Sequence, residues 1–160
     1  MSTRILIDTE IWSFGFKKPV RDMFESDDDY NAHFELHKKA NLFLSEKLKN
    51  NIIFMSYHQL AEIWHVLTMR GKKIPEETAY SIIRDIMKSK NIILKNVTIE
   101  DIKQSLFLSK ESGIHVWDFL VAIPCRDEIE VIYTMDKHFK DKSFKKIARI
   151  ENPIGKWLII

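Results

Sequence analysis

Cysteine is almost absent: Cys125 stands alone in 160 residues, which excludes an intramolecular disulfide and a thiolate zinc site and leaves it as core filler. Glycine and proline are scarce, four of each, and no repeat, low-complexity tract or linker interrupts the chain, so a single domain over 1–160 is expected. No apolar run approaches the roughly 20 residues of a membrane span, and the apolar stretch after Met-Ser-Thr-Arg is too short for a signal peptide. A cytoplasmic protein with no membrane partner is expected. Nor is there a strong charge of one sign: at +2, a global basic field is not what would attract nucleic acid.

What basic charge there is gathers late. Lys137, Lys140, Lys142, Lys145, Lys146 and Arg149 stand together against Asp141 alone, a patch able either to neutralise several phosphates or to serve as a solvated face. The composition, 45% hydrophobic and 30% charged, is that of a globular chain long enough to bury a core.

Ile5 to Ile7, Asn51 to Met55, Asn91 to Leu94 and Val131 to Thr134 are short apolar runs that read as strands buried on both faces. Helical patterns separate them. Ser56 and Gln59 form an S-x-x-Q capping box ahead of Leu60, Ile63, Trp64 and Leu67, with Gly71 as the stop. Pro75 suits the first turn of a helix striped by Ile82, Ile83, Ile86 and Met87, and Thr98 caps another that runs through Ile102, Leu106 and Phe107 to Gly113. Residues 17–31 break the pattern and read as an exposed loop between helices, in which Asp27, Asp28 and Asp29 form a solvated turn without EF-hand spacing. Strands alternating with helices imply right-handed βαβ crossovers and an α/β fold, a short central parallel sheet flanked by helices. The ligand crevice of such a sheet lies beyond the carboxyl ends of its strands.

Four acidic residues sit where apolar segments give way to a turn or helix: Asp8 after Ile5-Leu6-Ile7, Glu62 after Leu60-Ala61, Asp118 after Val116-Trp117, and Asp136 after Thr134-Met135. A carboxylate among core residues is costly unless hydrogen-bonded, paired or bound to a cation. Brought together, the four would form a pocket of oxygen ligands of the kind that Mg²⁺ and Mn²⁺ accept. Each also has an ordinary structural use. Asp8 suits a helix N-cap, Asp136 a plain turn, and Asp118 a buried ion pair or cap. Glu62 lies opposite the apolar stripe, where a solvated glutamate would sit, yet Val66 and Met69 share that face and make the helix apolar nearly all round, as buried helices are. His58 and His65 share a face with Glu62 but lack the third ligand and the spacing of a zinc protease.

The order and surroundings of these residues resemble the PIN-domain ribonucleases, and most closely the VapC-type toxins of toxin–antitoxin pairs. The resemblance is carried by Ile5-Leu6-Ile7-Asp8-Thr9 with Ile11-Trp12, and by Ser56 with Leu60-Ala61-Glu62-Ile63. It continues in Val116-Trp117-Asp118 with Leu120-Val121-Ala122, in Tyr133-Thr134 with Asp136 and Phe139, and in Ile147 to Pro153, which resembles the family's last strand. The resemblance implies a PIN-like three-layer fold. It makes Asp8, Glu62, Asp118 and Asp136 metal-binding and catalytic carboxylates, with Thr134 and Thr9 as supporting hydroxyls. It implies endonucleolytic hydrolysis of an RNA substrate to 5′-phosphate and 3′-hydroxyl ends, driven by one or two Mg²⁺ or Mn²⁺ ions that acidify a bound water and stabilise charge on the phosphate. Lys137, Lys140, Lys145 and Lys146 would then hold flanking phosphates, and Trp12 or Phe14, where not committed to the core, would stack on an unpaired base.

The same resemblance implies a VapB-like antitoxin that places an Arg or Lys against carboxylates such as Asp8 and Asp118. It also implies a homodimer, whose interface Trp157, Leu158, Ile159 and Ile160 would cover unless they pack back onto the domain. Residues 17–31 are longer than the family's usual early helical segment, and Pro124 should kink or end the helix that starts near Asp118. A haloacid-dehalogenase-like phosphatase would instead use Asp8 as nucleophile, but it wants an aspartate where this chain has Glu10, and a late aspartate pair that is missing. A PIN-like scaffold that binds RNA or protein without cutting is the non-enzymatic alternative, against which retention of all four acids argues.

Overall fold

Strands β1 (Arg4–Ile7), β2 (Ile52–Ser56), β3 (Ile92–Lys95), β4 (Val131–Tyr133) and β5 (Arg149–Glu151) pair in parallel, in the order β3-β2-β1-β4-β5. This is a computed structural model, and it describes residues 2–160. Helices α1 (Thr9–Phe16) and α2 (Asp27–Asn50) join β1 to β2, and α3 (Tyr57–Thr68) and α4 (Glu76–Lys88) join β2 to β3. The connection from β3 to β4 carries α5 (Ile99–Ser112) and α6 (Val116–Ala122), and a single turn, α7 (Lys142–Lys145), precedes β5.

Strand alternation sorts the core into two layers. Ile5, Ile7, Ile53 and Met55 pack on one face with Trp12, Leu36, Ile63 and Ile86 of the first four helices. Leu6, Phe54 and Ile132 face the other way, onto Phe119, Phe139 and Phe144. The three-layer α/β architecture expected from the sequence is thus present. Cys125 is part of the second layer, where burial pushes its thiol up to about 12 and leaves it an inert hydrophobe. No helix among the described residues is long and apolar enough to cross a membrane.

Several local expectations are corrected. Asp27, Asp28 and Asp29 are not a solvated turn but the first turn of α2, which Ser26 caps by accepting from Asp29 N at 3.1 Å. Three carboxylates suit the positive end of a helix dipole, so only the first part of 17–31 is loop, with a 3₁₀ turn at Arg21–Met23. The helix begins earlier than the end of the expected loop and buries only Leu36, Ala40 and Leu44 along its whole length, so its start leaves no apolar stripe. Ser56 caps α3 as expected, accepting from Gln59 N at 3.0 Å, but the Gln59 side chain does not complete the box. Instead its amide donates to Ile7 O at 2.6 Å and ties α3 to the end of β1.

Pro75 is the N-cap residue of α4 rather than part of its first turn, and the expected stop at Pro124 is a 3₁₀ turn, Ile123–Cys125, that ends α6. Helix α3 is not enclosed on all sides: Val66 is buried while His65 and Met69 are exposed. Leu106 and Phe107 of α5 are likewise turned outward, and Asp101 and Ser105 are its buried residues. Of the C-terminal apolar residues, Leu158 packs back onto the domain, its N–H donating to Met135 O at 2.7 Å and its carbonyl accepting from Lys137 N at 2.8 Å, while Ile159 and Ile160 are exposed.

Candidate active site

β1 lies between β2 and β4, so the connections leaving it diverge and open a crevice at the carboxyl ends of the strands. Asp8 is the first residue past β1. Its backbone N–H donates to Tyr133 O at 2.9 Å, which holds the ends of β1 and β4 side by side. Ile7 O, one residue earlier, accepts from both Trp12 Nε1 at 3.0 Å and Gln59 Nε2 at 2.6 Å. Trp12 is therefore a fully buried positioning residue, not a base-stacking platform. Phe14 is half-buried and packs against the core.

Asp8, Glu62, Asp118 and Asp136 all line one cavity of about 500 Å³, as does Thr9. Asp8 and Asp136 are buried and form its floor, while Glu62 on α3 and Asp118 in the first turn of α6 are half-buried in its walls. The structural and the pocket roles of Asp8 coincide. Its Oδ1 caps α1 by accepting from Thr9 N at 2.8 Å, and its Oδ2 accepts from the Thr134 hydroxyl at 2.9 Å. Thr134 in turn accepts from Asp136 N at 3.0 Å, while Asp136 caps the next 3₁₀ turn by accepting from His138 N at 2.9 Å.

Among the described residues, no lysine or arginine pairs with any of the four carboxylates. Burial, then the charges of Asp118 and Glu62, drive the Asp8 carboxyl well above its ordinary range, against the Thr134 hydrogen bond that lowers it. Burial, then Asp136 and Glu62, push Asp118 up to about 7. Such mutual repulsion is what a divalent cation relieves. The buried hydroxyl of Thr9, which has no hydrogen-bond partner, adds an unsatisfied oxygen in the same cavity. The residues therefore fit a hard divalent ion.

The cavity also holds groups with no distinguishing signal in the sequence. Glu10, one helical position past Thr9, is raised by burial and paired to Arg70 at 3.4 Å. His58 Nε2 lies 3.1 Å from Glu62 Oε2 and its ring stacks on Trp117 at 5.1 Å between centroids. Trp117, half-exposed at the rim, is the aromatic side chain that sequence reasoning should have preferred to Trp12 or Phe14; its place beside Asp118 was the available signal. His138, two residues past Asp136, completes the set. Lys137, Lys140, Lys145 and Lys146 are all exposed and none lines the cavity. Lys140 sits over the Trp157 ring, 4.3 Å from its centroid.

No family model and no curated protein matches the sequence. Solved structures do. VapC20 of Mycobacterium tuberculosis, described as a sarcin-ricin loop cleaving toxin, superposes with a TM-score of 0.63 at 19% identity, over 89% of this chain and 98% of that one. VapBC2 of Rickettsia felis, solved with a promoter DNA fragment, gives 0.51 at 20% identity over 94% and 98%. FitAcB of Neisseria gonorrhoeae gives 0.55 at 15% identity over 94% and 99%. Across nearly the whole of its length, the chain has the α/β fold of these proteins, the PIN-like fold expected from its sequence.

Proposed function

We propose that this protein is a divalent-metal-dependent endoribonuclease that acts in the cytoplasm as the toxin of a toxin–antitoxin pair, hydrolysing RNA to 5′-phosphate and 3′-hydroxyl ends. The observation that carries the reading is the convergence of Asp8, Glu62, Asp118 and Asp136, from four separate segments, on one cavity with no lysine or arginine paired to them. The likeness in fold to a sarcin-ricin loop cleaving toxin supports it.

Asp8 and Asp136 at the floor and Glu62 and Asp118 in the walls would hold Mg²⁺ or Mn²⁺. When bound there, the ion supplies activation of a water molecule and stabilisation of charge developing on the phosphate. Thr134 fixes Asp8 and the Asp136 backbone in one hydrogen-bonded chain, so the two floor carboxylates keep their separation without spending substrate-binding energy on order. His58 holds Glu62 in the wall. The exposed ring of Trp117 offers an unpaired base a surface beside the cleavage site. Lys137, Lys140, Lys145 and Lys146 would hold phosphates flanking the cleft.

An antitoxin would silence the enzyme by inserting an Arg or Lys among these carboxylates, where a partly desolvated ion pair is strong. The test is incubation with labelled structured RNA in Mn²⁺ or EDTA, together with expression of the chain alone in a neutral bacterial host. Cleavage that needs the metal, and growth arrest that the Asp8→Asn form does not cause at equal protein level, are expected. Absence of metal-dependent cleavage overturns the nuclease reading. Cleavage without arrest removes the toxin assignment alone.

A further inference from the structure

Nδ1 of His138 is enclosed by the protein, makes no hydrogen bond, and lies 3.0 Å from Oδ1 of Asp136. The separation is that of a hydrogen bond, but the alignment is not. That oxygen already accepts the backbone N–H of His138 at 2.9 Å. One potential ligand atom each from Asp118, Asp136 and His138 lie within 4.8 Å of one another. Ligands of an octahedral ion with bonds of ~2.1 Å stand about 3 Å apart when adjacent and about 4.2 Å apart when opposite. The three groups lie close enough together for small side-chain adjustments to bring them onto one ion.

His58, one of three other imidazoles in the cavity with His65 and His115, is differently employed. His58 Nε2 is bonded to Glu62 at 3.1 Å and its face is covered by Trp117, so it orients a carboxylate. His138 has no such occupation.

We propose that His138 is a direct metal ligand, adding an imidazole nitrogen beside Asp118 and Asp136 to the carboxylate oxygens of the cation site, which then prefers Mn²⁺ to Mg²⁺. This rests on the reading above that the cavity binds a divalent cation. Carboxylates serve Mg²⁺ and Mn²⁺ alike, whereas an imidazole nitrogen favours the later, softer first-row ions and adds little for the hard Mg²⁺. If His138 instead only braced Asp136, the inner set would be all oxygen and the preference would vanish.

The experiment is titration of the metal-free protein with MnCl₂ and, separately, MgCl₂ by calorimetry, with spin-echo EPR of the bound Mn²⁺ to detect nitrogen on the ion. The wild-type protein is expected to bind Mn²⁺ about tenfold or more tightly than Mg²⁺ and to show ¹⁴N modulation. His138→Gln should abolish the modulation and weaken Mn²⁺ by about tenfold to a hundredfold, while Mg²⁺ affinity moves less than about threefold. Circular dichroism checks the fold of the variant. Should it not fold, His138→Asn repeats the test, and His65→Gln and His115→Gln must each keep the modulation; loss in either overturns the proposal. Mn²⁺ bound without ¹⁴N modulation, or modulation surviving in folded His138→Gln, overturns it while the cation site stands. Failure of the wild-type protein to bind either ion at millimolar concentration overturns the cation site itself and the proposal with it.

Discussion

The Thr134 hydroxyl donates to Asp8 at 2.9 Å across 126 positions of sequence, joining the end of β4 to the end of β1 at the floor of the acidic cavity. Because the same oxygen accepts from Asp136 N at 3.0 Å, one threonine positions two carboxylates. Thr134→Val keeps the shape and removes both bonds. It should lower Mn²⁺ affinity and cleavage rate together by about tenfold to a hundredfold, while Thr134→Ser stays within about threefold of wild type. Calorimetry and single-turnover cleavage of the same preparations provide the check.

Asp8→Asn and Asp118→Asn should each reduce cleavage by on the order of a thousandfold, because an amide cannot supply the charge that holds the ion. Neither should unfold the protein. Removing one of several mutually repelling buried carboxylates leaves the metal-free melting temperature unchanged or higher, which thermal denaturation in EDTA will show. A folded variant cleaving at the wild-type rate would remove that residue from the ligand set.

Stability without metal should fall as pH rises from about 5 to 8. The carboxyl of Asp118 titrates at about 7 when folded and near the ordinary aspartate value of about 3.9 when unfolded, and Asp8 is raised in the same sense. Between those values the folded state holds more protons than the unfolded one, so its advantage is present at low pH and lost as pH climbs through the folded value. The loss expected is ~2 kcal/mol, or about 4–8 °C in melting temperature for a chain of this size. Asp101 and Asp141, held below the ordinary range, act oppositely but are fully ionised throughout this window. Saturating Mn²⁺ should reverse the slope, since protons and metal compete for the same oxygens. Calorimetric melts at three pH values, in EDTA and in MnCl₂, test this.

Lys145 and Lys146 are exposed and stand apart from the carboxylates, so their removal should touch binding but not chemistry. In the double Ala variant the dependence of log K on log salt for RNA should become shallower by about one to two units. An unchanged slope would leave the patch a solvated face.

Asp101 is a buried carboxylate with a purely structural task. It accepts from Thr98 N at 2.9 Å in the capping box of α5 and from Arg126 at 2.5 Å. Asp101→Ala should cost about 2–3 kcal/mol by leaving Arg126 unpaired and the helix uncapped, seen as a lower urea midpoint. Mn²⁺ affinity of the folded fraction should not move.

By itself the sequence determined β1, β2 and β4, whose runs, such as Ile5-Leu6-Ile7, are apolar and buried between layers, whereas β3, expected to be buried on both faces, lies at the sheet edge with Ile93 exposed. It also marked the four carboxylates, since an acid set among core residues is conspicuous, and the helix caps at Ser56 and Thr98, whose signals lie within four residues. It did not place the start of α2, where burial of three small or aliphatic side chains is decided by what α1 presents to them and leaves almost no periodic trace. Nor did it reveal that Arg126, in a different element, pairs with Asp101 of the α5 cap. Only the tertiary structure distinguished floor from wall, put Trp12 in the core and Trp117 at the rim, and brought His138 beside Asp118. These are relationships between residues far apart in the chain. Their physical basis, mutual distance in a low-dielectric cavity, exists only once the sheet has brought the ends of β1 and β4 together.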